Sequence, residues 1–203
     1  MNLILESDKV TDYLAETEEV DYSHAGIREK AEELSCRSSN EVAFVQAVFE
    51  FVRDRISHSW DIQSTRVTST ASDVLRFQEG ICYAKSLLLC ALLRSKGIPA
   101  GFCYQRLTLG ETPETGYALH ALNAVFLSSL NRWVRLDARG NKEGVNAQFS
   151  LGEEQLAFPI RPPFGEIDYP TIYVSPNSRT LAVLKQFTNG LEMYQNHLPT
   201  ALE

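Results

Sequence analysis

The most apolar stretch of the chain runs from Tyr83 to Lys96 and holds Leu87, Leu88, Leu89, Ala91, Leu92 and Leu93. Wound as a helix, these side chains cover most of the circumference, and a helix apolar nearly all round is usually buried. It opens at Gly80-Ile81-Cys82 and stops at Lys96-Gly97-Ile98-Pro99. Glycine there supplies a left-handed cap, and the proline just beyond cannot continue the helix.

The flanking segments carry two different periods. Before the Leu-rich run they are helical. Ile27, Ala31 and Leu34 place a helix over Ser23 to Cys36, with Ser23 able to cap it. Val42, Val45, Phe49 and Val52 mark a second helix capped by Asn40, with Arg53 and Arg55 in its last turn, where cations are favourable. Ser57 to Asp61 reads as a loop, and Ala71 to Phe77 as a short helix. After the run the pattern turns to strands: Gly101 to Leu107, Tyr117 to Leu127 and Arg132 to Asp137, with a turn at Ser128–Asn131. Residues 138–170 read as irregular chain wrapping the sheet, and Ser178 to Asn189 as a final helix. Helices followed by strands predict an α+β fold, with N-terminal helices and the Leu-rich helix packed on an antiparallel sheet. Its 203 residues suit one domain over 1–203, with a core near 40–140 and a wrapping segment over 141–203.

The net charge of −7 leaves no basic excess for nucleic acid. No apolar run approaches the roughly 20 residues that span a bilayer, so no membrane association is expected. The first residues lack a basic leader, which predicts a cytoplasmic protein. Cys36, Cys82, Cys90 and Cys103 then read as free thiols, each either a packing residue or a working nucleophile.

Cys82 is set apart by position. Backbone N–H groups at a helix start stabilise a thiolate and make it nucleophilic near neutral pH. Gly80 would clear space for an approaching carbonyl. A thiolate mechanism also needs a base and a group to orient it. Pairing Leu127 opposite Arg132 sets Asp137 opposite Leu122, hence on the face of His120 and diagonal to it. A turn with an odd number of residues would reverse that parity. Taken singly, each residue has an ordinary structural explanation: a small core cysteine, a half-buried histidine, a strand-end aspartate. The set of helix-start Cys82, strand His120 and strand-end Asp137 is a much narrower pattern.

The motifs Gly80-Ile81-Cys82-Tyr83-Ala84-Lys85, Leu92-Leu93-Arg94-Ser95-Lys96-Gly97-Ile98-Pro99-Ala100, the strand of His120 and Trp133-Val134-Arg135-Leu136-Asp137 make the sequence resemble the transglutaminase-like superfamily. The resemblance implies a papain-like core with Cys82 as nucleophile, His120 as general base and acid, and Asp137 as its orienting partner. Leu122 stands where that family often has Trp.

The Cys82 amide is the natural first donor to an oxyanion. Trp60, through its indole N–H, and Gln78 are candidates for the second. His58 reads as a surface-loop residue, His24 as a helix-start residue and His197 as part of the tail. Cys36, Cys90 and Cys103 read as packing. No C-x-x-C or H-x-x-x-H spacing occurs, so neither metal nor cofactor is expected. The reaction expected is thiol-dependent hydrolysis of an amide in a peptide or small molecule. The alternatives are acyl transfer to an amine and a non-catalytic binding module. An arylamine N-acetyltransferase ranks lower, because Gln78-Glu79-Gly80-Ile81-Cys82 departs from that family's R-G-G-x-C.

Overall fold

The computed structural model describes residues 1–202. Four helices precede the main sheet: Ala25–Cys36 (α1), Glu41–Arg55 (α2), Ala71–Phe77 (α3) and Cys82–Arg94 (α4). Short strands Ile4–Leu5 (β1), Ser57–His58 (β2) and Glu79–Gly80 (β3) lie among them. Ala100–Thr108 (β4), Tyr117–Leu127 (β5) and Arg132–Leu136 (β6) follow, then Ile167–Asp168 (β7), Thr171–Ile172 (β8), Ser178–Gln186 (α5) and Gly190–Asn196 (α6). No helix among the described residues is long and apolar enough to cross a membrane.

Local chemistry explains the boundaries. Asn40 accepts from the Ala43 amide at 2.9 Å and starts α2. His24, rather than Ser23, caps α1, its Nδ1 accepting from the Gly26 amide. Gly97, at φ +74°, ends the turn after α4 in a conformation that other residues resist.

The main sheet has the order β6-β5-β4-β7 and its paired strands are antiparallel. Every residue of α4 is buried, as its all-round apolarity demands. One face of the sheet meets the helices: Phe102 and Tyr104 of β4 and Leu119, Ala121 and Val125 of β5 join the α2 and α4 side chains in the main core. The alternate positions Cys103, Leu122 and Ala124 face a smaller cluster with Tyr13 and Ile172. Over that second face the buried Arg135 guanidinium reaches Asp168 of β7 at 2.7 Å and Glu154 at 2.6 Å.

Strand β5 pairs with β6 through Leu127↔Arg132 and Asn123↔Leu136. This is the even-parity register expected across Ser128–Asn131. Residues 138–166 are largely irregular, as expected, but β7 then joins the sheet edge. The last helical region divides in two, α5 ending at Gln186 and α6 beginning at Gly190. Gly190 fits closely there, since an added Cβ would lie 2.8 Å from the Arg66 carbonyl oxygen.

Candidate active site

Two elements bring Cys82 and His120 to one cleft of about 630 Å³, and a third holds Asp137, buried, behind His120. Cys82 is the first residue of α4. Ile81, before it, makes no side-chain cap, so no side chain competes for the first-turn amides around the sulfur. His120 lies within β5, and its Nε2 is 2.8 Å from Asp137 Oδ2. Asp137, one residue beyond β6, also accepts from the Arg139 amide at 3.2 Å and the Ala157 amide at 2.9 Å. These bonds hold the carboxylate and use Nε2, which leaves His120 Nδ1 for Cys82.

Burial alone would push the His120 pKa down. Asp137, then Cys82, more than offset this and raise it to about 10. Burial likewise opposes ionisation of Asp137, but His120 and the two amides hold its pKa below the usual carboxylate value. The two shifts run in the directions that favour an imidazolium on a carboxylate. Phe158 packs edge-on to the His120 ring at 5.2 Å.

The walls come from more distant chain. Trp60 lines the cleft and stacks on Tyr194 of α6, centroids 4.5 Å apart and planes 11° from parallel. Asp61 binds Arg139 at 2.8 Å through Nη2 and again through Nη1, and it accepts from Lys142 at 2.8 Å. That bridge ties the segment after β2 to the segment after β6. Burial would raise the Asp61 pKa, but Arg139 and Lys142 bring it down to about 2. Across the cleft, Glu166 accepts from the Thr108 amide at 3.1 Å and the Arg161 amide at 2.7 Å, fixing the start of the 108–116 loop.

Several expectations are corrected. Gln78 is exposed in the left-handed turn ending α3 and does not line the cleft. His58 is not in a surface loop. It is buried, because Ser57 and His58 pair in parallel with Glu79 and Gly80. Gly80 sits in tight packing rather than on the cleft: an added Cβ would lie 3.0 Å from the Ala84 Cβ and 3.1 Å from Thr68 Oγ1. Cys36 is exposed rather than packed. It lies five residues beyond buried Ala31, about 140° around the helix. Cys90 and Cys103 are buried, and burial pushes the Cys103 pKa up to about 12. His24 stands at a helix start, as expected, and His197 stacks on Phe187 after α6. Among the described residues no group of three or more His, Cys, Asp or Glu side chains is placed to hold a metal ion.

Sequence reasoning passed over Phe158, Asp61 and Tyr194. They lie far from Cys82 along the chain or in irregular segments, and no local pattern marks them.

A family model described as the transglutaminase-like superfamily matches residues 28–138, more than half of the chain. The chain belongs to the transglutaminase-like superfamily. Among solved structures, this member of the superfamily is similar to the "Putative Cysteine Protease from Cytophaga hutchinsonii". The TM-score is 0.52 at 18% identity, over 66% of this chain and 43% of that one. It is also similar to the periplasmic domain of TgpA from Pseudomonas aeruginosa, with a TM-score of 0.48 at 19% identity, over 66% of this chain and 48% of that one. At such identities the first likeness is one of fold. The chain spans less than half the length of either structure. No curated protein matches it.

Proposed function

We propose that this superfamily member is a thiol-dependent hydrolase of amide bonds, with Cys82 as nucleophile, His120 as proton carrier and Asp137 as the group that orients it. The carrying observation is that His120, held by a buried 2.8 Å contact to Asp137, lines the same cleft as a helix-start cysteine.

The chemistry follows from the charge states. The Cys82 sulfur attacks the carbonyl carbon, a C–S bond forms, and the oxygen takes up the electron pair. His120, protonated at rest, gives its Nδ1 proton to the departing amine as the C–N bond breaks. Neutral His120 then takes a proton from water, whose oxygen attacks the thioester; the C–S bond breaks, a carboxylic acid leaves, and the sulfur returns as a thiolate beside the protonated His120. An amine in place of water gives acyl transfer. The cleft walls supply Trp60, Phe158 and Tyr194 beside balanced charges, which suits a peptide or small amide. The cytoplasm suits this reading, because none of the four cysteines is paired and a working thiolate must stay reduced.

Limiting iodoacetamide with mapping of the labelled cysteine is the first test, and Cys82 should react first. An acyl-amide library should be turned over by the wild type and not by Cys82→Ala. Release of free acid marks hydrolysis; a product joined to an added amine marks transfer. Protection of Cys82, or turnover unchanged in Cys82→Ala, would sink the enzyme reading in favour of a binding module.

A further inference from the structure

His58 is a buried polar side chain in the wall of the cleft that the reaction above leaves unused. Its position is well determined. His58 pairs with Gly80, two residues before Cys82, and the Ser59 amide donates to the Gly80 carbonyl at 3.2 Å. Tyr194 packs edge-on to its ring at 6.0 Å. Buried Lys85, on the nucleophile helix, donates to the Ile56 carbonyl at 2.5 Å, just before β2, and fixes the point where the chain enters that strand.

The two ring nitrogens differ. Nδ1 is buried with no hydrogen-bond partner, and the ring lines the cleft, so Nε2 is the nitrogen with access to it. Burial first, and then the charge of Arg139, push the His58 pKa well below its ordinary value, so the ring carries one proton. Buried N–H groups are left orphaned more rarely than buried acceptors. The proton therefore sits on Nε2 and presents a neutral donor to the cleft. Of the two donors expected from sequence, Gln78 lies outside the cleft, while Trp60 lines it with its ring face on Tyr194, so His58 adds a donor that the sequence reading lacked.

We propose that His58 donates through Nε2–H to the carbonyl oxygen of the bound acyl group, as the second oxyanion donor beside the Cys82 amide. This rests on the thiol-hydrolase reading with its acyl-enzyme at Cys82, so the two must be separable by experiment. Acylation of Cys82 by p-nitrophenyl acetate builds charge on oxygen, and its leaving group needs no proton. Alkylation by iodoacetamide forms a C–S bond as iodide leaves and builds no oxyanion.

In His58→Phe the acylation rate should fall about 10²- to 10³-fold, while alkylation of Cys82 stays within about twofold. The melting temperature should not fall, since a buried nitrogen without a partner has been removed. His58→Gln retains a side-chain N–H donor and should keep acylation within about tenfold of wild type. The proposal is overturned by parallel loss of both rates in His58→Phe or by unchanged acylation there. If the Phe variant does not fold, His58→Gln decides: a loss beyond a hundredfold with alkylation intact overturns the proposal, and retention supports it. Wild-type protein that is alkylated but never acylated at Cys82 overturns both readings; acylation of wild type with no His58 effect overturns only this one.

Discussion

The two sides of the cleft are built differently. Cys82, His120 and Asp137 come from α4, β5 and the end of β6, elements joined by backbone ladders and a continuous apolar core. The opposing walls come from the segment after β2, the irregular chain after Asp137 and helix α6, joined by ion pairs and stacked rings. The first kind of construction fixes positions through many cooperative contacts. The second relies on a few side chains, each of which can be removed singly. Substitutions on the first side should therefore alter the chemistry, and those on the second should alter binding with smaller effect.

The largest effect in this series is expected from Asp137→Asn. The amide cannot hold His120 as an imidazolium, and kcat on any amide substrate should fall about 10²- to 10⁴-fold. Stability as a function of pH gives an independent reading. The folded His120 pKa, about 10, exceeds the ordinary 6.5. Its contribution to stability is therefore fully present below pH 6.5, declines above it and is lost by about pH 10. Urea melts of wild type and Asp137→Asn should differ most between pH 3.8 and 6.5, converging toward pH 10 and again in acid as Asp137 protonates. A difference independent of pH would show that Asp137 acts only by packing.

The contrast between the two sides also governs what the amino-acid sequence made legible. Helices α2, α3 and α4, strand β5 and the β5–β6 register follow from rules reaching over a few residues: the apolar period, the Asn40 cap, the Gly97 stop and the parity of the Ser128–Asn131 turn. Those same rules place Asp137 beside His120. The walls depend on pairings between distant segments. Nothing local to Tyr194 indicates that it will stack on Trp60, 134 positions earlier. The burial of His58 is illegible in the sequence for the same reason. Two residues of parallel pairing with Glu79 and Gly80 bury it, and so short a strand has no periodicity to read.

Asp61→Asn tests the ionic wall. Asp61 is partly exposed, whereas the Arg139 side chain it neutralises is only 4% exposed. The expected cost of about 1–2 kcal/mol lies between that of a surface pair and that of a buried one. Because the folded Asp61 pKa of about 2 lies below the ordinary 3.8, this contribution is present above pH 3.8 and lost as the pH falls toward 2. KM should rise with kcat little changed. A fall in kcat with constant KM would place Asp61 with the chemistry instead. Tyr194→Leu removes the stack on Trp60 and should act in the same direction but less, raising KM about 2- to 10-fold, as expected for about 0.5–1.5 kcal/mol of aromatic stacking.

Cys36→Ser should have the smallest effect, and it separates exposure from reactivity. Cys36 is exposed, whereas Cys82 is 8% exposed. If access governed labelling, Cys36 would react first. Its setting argues the opposite, because the thiol donates to Glu32, and that hydrogen bond and the neighbouring negative charge raise its pKa. A raised pKa leaves less thiolate, the species that reacts. At neutral pH and limiting reagent, Cys36→Ser should therefore remove only a slow labelling phase and leave acylation of Cys82 within about twofold of wild type. Loss of the fast phase in Cys36→Ser would assign the reactive thiol to the surface of α1 and detach reactivity from the helix start, the His120–Asp137 pair and the cleft that joins them.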